Sequence, residues 1–283
     1  MGLIDILTRV AVVDSALVAI GLVLVVGPSR IRSGLRRVQL NVRAVIPAAA
    51  VLALVLAMNR VVRQAGMDLS WIIGLNITGD IYDIEGDFVP VLQSFATPPV
   101  TAYFEVIYIY GYVFALVFPV VAFLLHDDEQ PLREHLIAYS LNYGIGVVCY
   151  ILFIAFGPRN QIPAVESLLY SNWPQSQLLT SQVNTNTNVF PSLHASLATT
   201  VALLSNRFRG VYPRWRPLAI VLAVSVSVST MYLGIHWATD VVAGVVLAVG
   251  SVKAARRVDE TTLRPKRLGG RLADRLRTWR HDR

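Results

Sequence analysis

The chain has 283 residues, of which 54% are hydrophobic and 15% charged, and its formal net charge is +7 at pH 7. Soluble domains carry about 25% charged residues, so this composition, with a mean hydropathy of +0.54, excludes an ordinary water-soluble protein. The single cysteine, Cys149, excludes an intramolecular disulfide.

Seven apolar stretches approach the length of a membrane span, which is roughly 20 residues for a hydrocarbon core about 30 Å thick. They predict an all-α polytopic membrane helix bundle. The predicted spans are residues 10–27, 44–59, 102–125, 136–156, 190–206, 217–234 and 237–254. The first stretch contains Asp14 and lacks the basic start and small-residue cleavage site of a signal peptide, so we interpret it as a membrane span.

The basic residues mark one side of this bundle. Most of the 25 Lys and Arg residues lie in the segments 30–43, 207–216 and 253–283. With seven spans these segments share one face, which the positive-inside rule assigns to the cytoplasm. We therefore expect a multi-pass protein of the cell membrane, with its N-terminus outside and its C-terminus in the cytoplasm. The positive charge is expected to contact anionic lipid headgroups and not nucleic acid, because no aromatic-and-basic groove is evident.

The acidic stretch "TGDIYDIEGD" lies in the outer segment 61–99. It lacks the Gly and terminal Glu pattern of a calcium loop, so it is interpreted as a solvated loop. Three of the five histidines, His126, His135 and His281, are expected to be solvated surface residues on the cytoplasmic side.

The other two histidines fall on the outer face with an arginine. His194 opens the fifth span, His236 lies in the turn between the last two spans, and Arg159 follows the outer end of the fourth. Asp240 lies four residues after His236, and on a helix these positions share a face. A carboxylate there can hold one imidazole nitrogen and leave the other unprotonated, as in a catalytic triad. A charge inside a span is a functional candidate by default.

The start of the fifth span has the features of an anion site. Pro191 suits a first helical turn, and the free N–H groups of that turn attract an anion. Ser192 can add a hydroxyl donor, and Arg159 can bind phosphate oxygens in pairs. An anion site beside two histidines favours phosphoryl transfer. No Cys or His cluster has metal-ligand spacing, so neither a metal nor a cofactor is expected.

These residues resemble a known family. "FPSLHAS" and "YLGIHWATDVVAG" are similar to the second and third motifs of the type 2 phosphatidic acid phosphatase (PAP2) superfamily. Two departures stand out. Thr230 occupies the place of the arginine that the family's third motif has six residues before its histidine. The family's first motif usually has a lysine and an Arg-Pro pair, and here it is reduced to "GPRNQIP", with no lysine upstream in the fourth span. "FPSLHA" and "TMYLGIH" more closely resemble the inositol phosphorylceramide synthase branch, which transfers a phosphorylated head group to a lipid alcohol.

The resemblance implies a six-helix core, here residues 44–254, preceded by an extra span and basic cytoplasmic loop in 1–43 and followed by a basic cytoplasmic tail in 255–283. It implies a lipid phosphatase or phosphotransferase at the extracytoplasmic face, acting on a phospholipid or a polyprenyl-phosphate-type lipid. His236 is then the nucleophile that becomes a phosphohistidine, His194 the acid and Asp240 the orienting group. Arg159 and Ser192 hold the phosphate.

Three alternatives stay open at this point. The first is an enzyme, either a hydrolase or a head-group transferase, since pocket shape selects the acceptor. A non-enzymatic transporter with an Asp–His proton relay is a second reading, although no paired discontinuous helices are visible. A b-type haem protein with His194 and His236 as axial ligands is a third, disfavoured because both residues lie near the membrane edge.

Overall fold

The structure is a computed structural model that describes residues 2–180 and 187–263, so most of the predicted basic tail, from residue 264 onward, lies outside the described residues. In chain order the described helices are α1 (Leu3–Gly21), α2 (Pro28–Leu35), α3 (Val38–Ile73), α4 (Thr78–Glu85), α5 (Phe88–Gln93), α6 (Pro98–Val106), α7 (Tyr112–Leu124), α8 (Gln130–Leu152), α9 (Pro158–Gln161), α10 (Leu168–Asn172), α11 (Ser176–Thr180), α12 (Leu193–Arg207), α13 (Trp215–Tyr232) and α14 (Ala238–Val258). Three π-helical segments extend or join them, Leu22–Val26 after α1, Ile107–Gly111 between α6 and α7, and Asp259–Leu263 after α14. Strands β1 (Leu75–Asn76) and β2 (Phe153–Ile154) pair in parallel, with Leu75 opposite Phe153.

The predicted all-α membrane bundle is confirmed. Six helical stretches of the described residues are long and apolar enough to cross a membrane, and each overlaps a predicted span. They are Leu3–Val26, Val38–Val62, Pro98–Leu124, Gln130–Leu152, Trp215–Tyr232 and Ala238–Thr261. Their exposed surfaces are largely aliphatic, as expected for side chains that face lipid acyl chains.

Helix α12 corresponds to the remaining predicted span, 190–206, but it has only 15 residues. It begins at Leu193 because the Ser192 side chain caps it, accepting the Ala195 N–H at 3.3 Å. Its start lies beside the start of α14, where the Ser192 N–H donates to the Asp240 carbonyl at 3.0 Å. Arg207, at its end, pairs with Glu134 at the start of α8. Thus α12 joins the two ends of the bundle although it is shorter than a typical span.

Gly244 allows α14 to pack closely against α12. A Cβ atom on Gly244 would come within 2.5 Å of the Ser192 carbonyl oxygen and 3.3 Å of the Ser196 nitrogen. Only a hydrogen fits there, so α14 lies against the first turn of α12. This contact brings the residues at the starts of both helices together.

Ion pairs join the start of α8 to the ends of α12 and α14, at the end of the bundle away from the Ser192–Gly244 contact. The Arg207 guanidinium donates to both Glu134 carboxylate oxygens, at 2.6 and 2.9 Å. Arg133 donates to Asp259, and both side chains are nearly inaccessible. The expectation that His135 is a solvated surface residue is wrong. It is fully buried, and its Nδ1 lies 2.7 Å from the Pro131 carbonyl oxygen.

The outer segment 61–99 is more ordered than the predicted solvated loop. Helix α3 continues past the predicted end at residue 59 and stops only at Gly74, whose extended backbone ends it. The rest of the segment forms β1, α4 and α5. The Thr78 hydroxyl accepts the Phe156 N–H at 3.1 Å, so this segment is fastened to the chain that follows α8.

Candidate active site

His236 lies in the five-residue turn between α13 and α14. Gly234 reverses the chain with φ of 73°, a conformation that favours glycine. The N–H groups of Ile235 and His236 both donate to the Thr230 carbonyl at 3.0 Å. The His236 side chain is 3% exposed, so the turn holds it inside the protein.

Asp240 contacts His236, as the sequence predicts, but for a different reason. His236 precedes α14, so the two residues do not share a helix face. Asp240 is the third residue of α14, and its Oδ2 accepts the Trp237 N–H at 2.8 Å. The same oxygen lies 3.3 Å from His236 Nδ1. The carboxylate therefore caps the helix and binds the imidazole at once.

The imidazole of His236 is neutral at neutral pH. Burial lowers the pKa of His236 to about 3, a hydrogen bond with the Val189 backbone opposes this, and the charge of Arg159 lowers the pKa further. A neutral imidazole that donates its Nδ1 proton to Asp240 keeps a lone pair on Nε2. Such a ring is suited to nucleophilic attack.

His194 lies next to His236. It is the second residue of α12, and its ring centroid is 6.2 Å from that of His236. Tyr108 stacks on it at 4.7 Å and Tyr112 packs at 4.4 Å, between ring centroids. The aromatic walls fix the orientation of the His194 ring. The structure thus brings together the two histidines that are 42 residues apart in sequence.

Pro191 and Ser192 lie at the same helix start, with one correction. Pro191 is not in the first turn of α12, because the helix begins two residues later, after the Ser192 cap. The Phe190–Pro191 peptide bond is cis. Ser192 is fully buried, and its oxygen already accepts the Ala195 N–H at 3.3 Å. Within residues 2–180 and 187–263 its hydroxyl donates no hydrogen bond, and a contact with phosphate stays a prediction.

Arg159 is fastened to the histidine turn. It lies in the short helix α9, and its backbone N–H donates to the Gly234 carbonyl at 3.1 Å. Its guanidinium packs over Tyr170 at 4.6 Å and donates from one terminal nitrogen to the Tyr170 hydroxyl at 3.2 Å. The other terminal nitrogen, Nη1, is buried and has no hydrogen-bond partner in residues 2–180 and 187–263. A buried donor of this kind is costly unless a ligand satisfies it.

Sequence reasoning missed Glu85. Its carboxylate accepts the N–H of Ala238 at 2.9 Å and that of Thr239, the first two residues of α14. Glu85 thus neutralises the positive end of the helix that carries Asp240. These hydrogen bonds span more than 150 residues, and "YDIEGD" in one sequence carries no signal for them. The two hydrogen bonds hold the start of α14, two and three residues after His236.

Tyr108 and Tyr112 were also missed, although "YIYGY" carries a signal. They are four residues apart in the third membrane span, where a helix places them on one face. Both rings contact His194, so this face forms one wall of the site.

The cluster combines a neutral histidine held by a carboxylate, a second histidine and an arginine with an unsatisfied donor. These are the parts needed to attack phosphorus, protonate a leaving oxygen and neutralise phosphate oxygens. No group of three or more His, Cys, Asp or Glu side chains within the described ranges could hold a metal ion.

Comparisons with known proteins agree with this chemistry. Residues 84–254 match the family model of the PAP2 superfamily. The decaprenylphosphoryl-5-phosphoribose phosphatases of Mycobacterium tuberculosis strains CDC 1551 / Oshkosh and ATCC 25618 / H37Rv are each 33% identical over 91 residues, which is 31% of this chain and 49% of the relative. The chain thus spans about half the length of the curated relatives it matches. No solved structure matches it significantly. The family match covers more than half of the chain and includes Arg159, Ser192, His194, His236 and Asp240, so the predicted family is confirmed and the chain belongs to the PAP2 superfamily.

Proposed function

We propose that this protein is an integral-membrane phosphatase or phosphotransferase that acts on a lipid phosphate ester through a phosphohistidine on His236. The observation that carries the proposal is the His236–Asp240 contact at 3.3 Å with His194 as its neighbour. The relatives are named as phosphatases of a decaprenylphosphoryl compound. That name supports a polyprenyl-phosphate-type lipid as the substrate here, with a phospholipid as the alternative.

The proposed reaction has two steps. His236 Nε2 attacks phosphorus, the P–N bond forms, and the bond from phosphorus to the leaving oxygen breaks. Protonated His194 gives its proton to that oxygen. In the second step neutral His194 takes a proton from the acceptor hydroxyl, whose oxygen attacks phosphorus as the P–N bond breaks. Arg159 and Ser192 hold the phosphate oxygens, and Asp240 stabilises the positive charge that His236 gains on phosphorylation.

A head-group transferase is the second candidate, and Thr230 favours it. The family's third motif has an arginine at this position. Here the threonine is fully buried, and its hydroxyl donates to the Ser227 carbonyl at 2.8 Å. A threonine carries no charge, so the site lacks the cation that an arginine would supply. A site with fewer cations suits a phosphodiester, which carries less negative charge than a monoester. Such a substrate is expected for transfer to a lipid alcohol.

Turnover of defined lipids tests the proposal. Purified protein is offered labelled polyprenyl phosphates, phospholipid monoesters and phosphodiesters, each with and without a lipid alcohol. Release of inorganic phosphate from a monoester supports the hydrolase, and a labelled product that requires the alcohol supports the transferase. No turnover of any of these lipids would contradict both, and would favour the transporter that the sequence left open.

Glu85→Gln is expected to lower kcat about tenfold with little change in KM, because a displaced nucleophile raises the activation barrier, and about 1.4 kcal/mol is a factor of ten in rate. The amide presents an NH₂ group to one of the two N–H donors, so α14 and the His236 turn shift while the lipid contacts remain. Asp83→Asn is the matched control, since Asp83 is an exposed carboxylate on the same helix. Equal kcat in the two variants would contradict the positioning role.

We also propose that residues 44–254 form the catalytic core, with the site at the extracytoplasmic face and the C-terminus in the cytoplasm. The basic segments 30–43 and 207–216 support this orientation. In a Cys149→Ser background, cysteine at the exposed Ala164, beside the histidine turn, is expected to react with a membrane-impermeant thiol reagent in intact cells. Cysteine at Gly210, which has open space around it, should not react. The reverse labelling pattern would place the site in the cytoplasm.

A further inference from the structure

A basic cleft opens at the end of the bundle opposite the histidines. It has a volume of about 620 Å³ and lies between the ends of α12 and α14. Its lining residues are Asn206, Arg207, Arg209, Gly210, Val252, Lys253 and Arg256. Lys253 is 15 residues beyond the start of α14, so the cleft lies about 20 Å along the helix from the histidine turn. It is therefore separate from the candidate active site.

The positive charge of this cleft is only partly neutralised. Arg207 is paired with Glu134, and Arg256 donates to Glu260 at 2.8 Å. The side chains of Arg209 and Lys253 are exposed and form no ion pair or hydrogen bond with any other residue in the described part of the chain. Two unpaired cations face one open cleft, and an anion there would gain from both.

An apolar stripe leads from the cleft along α14. Val242, Val246 and Val249 lie eleven, seven and four residues before Lys253, which places all four side chains on one side of the helix. Val242 and Val246 are 63% and 67% exposed, and Val249 is half-buried. An aliphatic stripe that ends at a cation has the pattern of a lipid contact, with the chain on the stripe and the headgroup at the end.

We propose that this cleft binds an anionic phospholipid, with its phosphate between Arg209 and Lys253 and an acyl chain along Val242, Val246 and Val249. Free inorganic phosphate shares the charge but gains nothing from the stripe. A zwitterionic phospholipid shares the acyl chain but offers no net negative charge. The cleft lies apart from the candidate active site, and this proposal does not depend on the catalytic one.

Lipid binding to the full-length protein in detergent tests the proposal by native mass spectrometry. The probes are phosphatidylglycerol, phosphatidylcholine with the same acyl chains, and inorganic phosphate as a competitor. The test variant is Arg209→Gln/Lys253→Gln. The control variant, Arg36→Gln/Arg43→Gln, removes two exposed cations from the same basic end of the bundle but outside the cleft.

Phosphatidylglycerol is expected to bind the wild type more tightly than phosphatidylcholine does, and phosphate should not displace it. The cleft variant should lose affinity by on the order of tenfold, and the control variant by clearly less. Equal losses in the two variants would mean diffuse attraction and would overturn the site. Equal binding of phosphatidylcholine, or displacement by phosphate, would overturn the anionic phospholipid as its occupant.

Discussion

His236→Ala is expected to abolish turnover of every substrate, whereas the loss in His194→Ala depends on the leaving group. The nucleophile is needed whatever bond breaks. A general acid contributes roughly 10²–10⁴-fold to the rate, and that contribution shrinks when the leaving oxygen needs no proton. His194→Ala should therefore be strongly impaired on a lipid alkyl phosphate and much less on a nitrophenyl ester. The measurement is kcat/KM on both substrates for both variants, because kcat/KM reports the steps up to loss of the leaving group and excludes the second step, in which His194 acts as the base.

His126→Ala is the control for these two variants. His126 is half-buried at the opposite end of the bundle, where its ring lies 6.0 Å from that of Tyr212, and it should keep wild-type activity. Equal losses for His194→Ala and His236→Ala on both substrates would contradict the division of roles. Residual activity of His236→Ala near that of the wild type would remove His236 as the nucleophile.

Asp240→Asn is expected to lower kcat by on the order of 10²–10³-fold with the protein folded and inserted, the range seen when one preorganised electrostatic contact is removed. The oxygen that contacts His236 also accepts the Trp237 N–H at 2.8 Å. That donor orients the amide with its oxygen in the same place, so the helix cap and the imidazole contact both survive. What the variant loses is the negative charge opposite His236.

Asp240→Ala separates the charge from the cap. It removes the acceptor of the Trp237 N–H as well, so it should lose more activity than Asp240→Asn and also lower thermal stability. Size-exclusion profiles and melting curves in detergent check the fold of each variant. Full activity of Asp240→Asn would show that the carboxylate is structural only.

The sequence predicts which residues of the candidate site lie together, because charge and hydrophobicity report on topology. The basic segments mark one face of the membrane, and the predicted spans then put Arg159, His194 and His236 on the other face. The bounds were less accurate. The start of α12 was placed at 190 and lies at Leu193, since the Ser192 cap, and not the proline, sets it. The contact between Asp240 and His236 was predicted from helix periodicity, yet it arises from capping.

Glu85 and the length of α3 could not be predicted. Glu85 contacts α14 through two backbone N–H groups, and a backbone partner leaves no complementary residue type in the sequence. Helix α3 continues beyond the apolar stretch because no residue stops it before Gly74. Hydrophobicity marks the part of a helix that lies in the membrane, and it says nothing about the part beyond it.

Trapping of the phosphoenzyme tests the central claim most directly. Wild-type protein is mixed briefly with substrate carrying labelled phosphorus, denatured in base and digested, and the labelled peptide is identified by mass spectrometry. The account predicts an acid-labile, base-stable phosphohistidine on the peptide that contains His236, and no label in His236→Ala. A wild-type enzyme that turns over the lipid with no labelled peptide, or with the label on another residue, would contradict it.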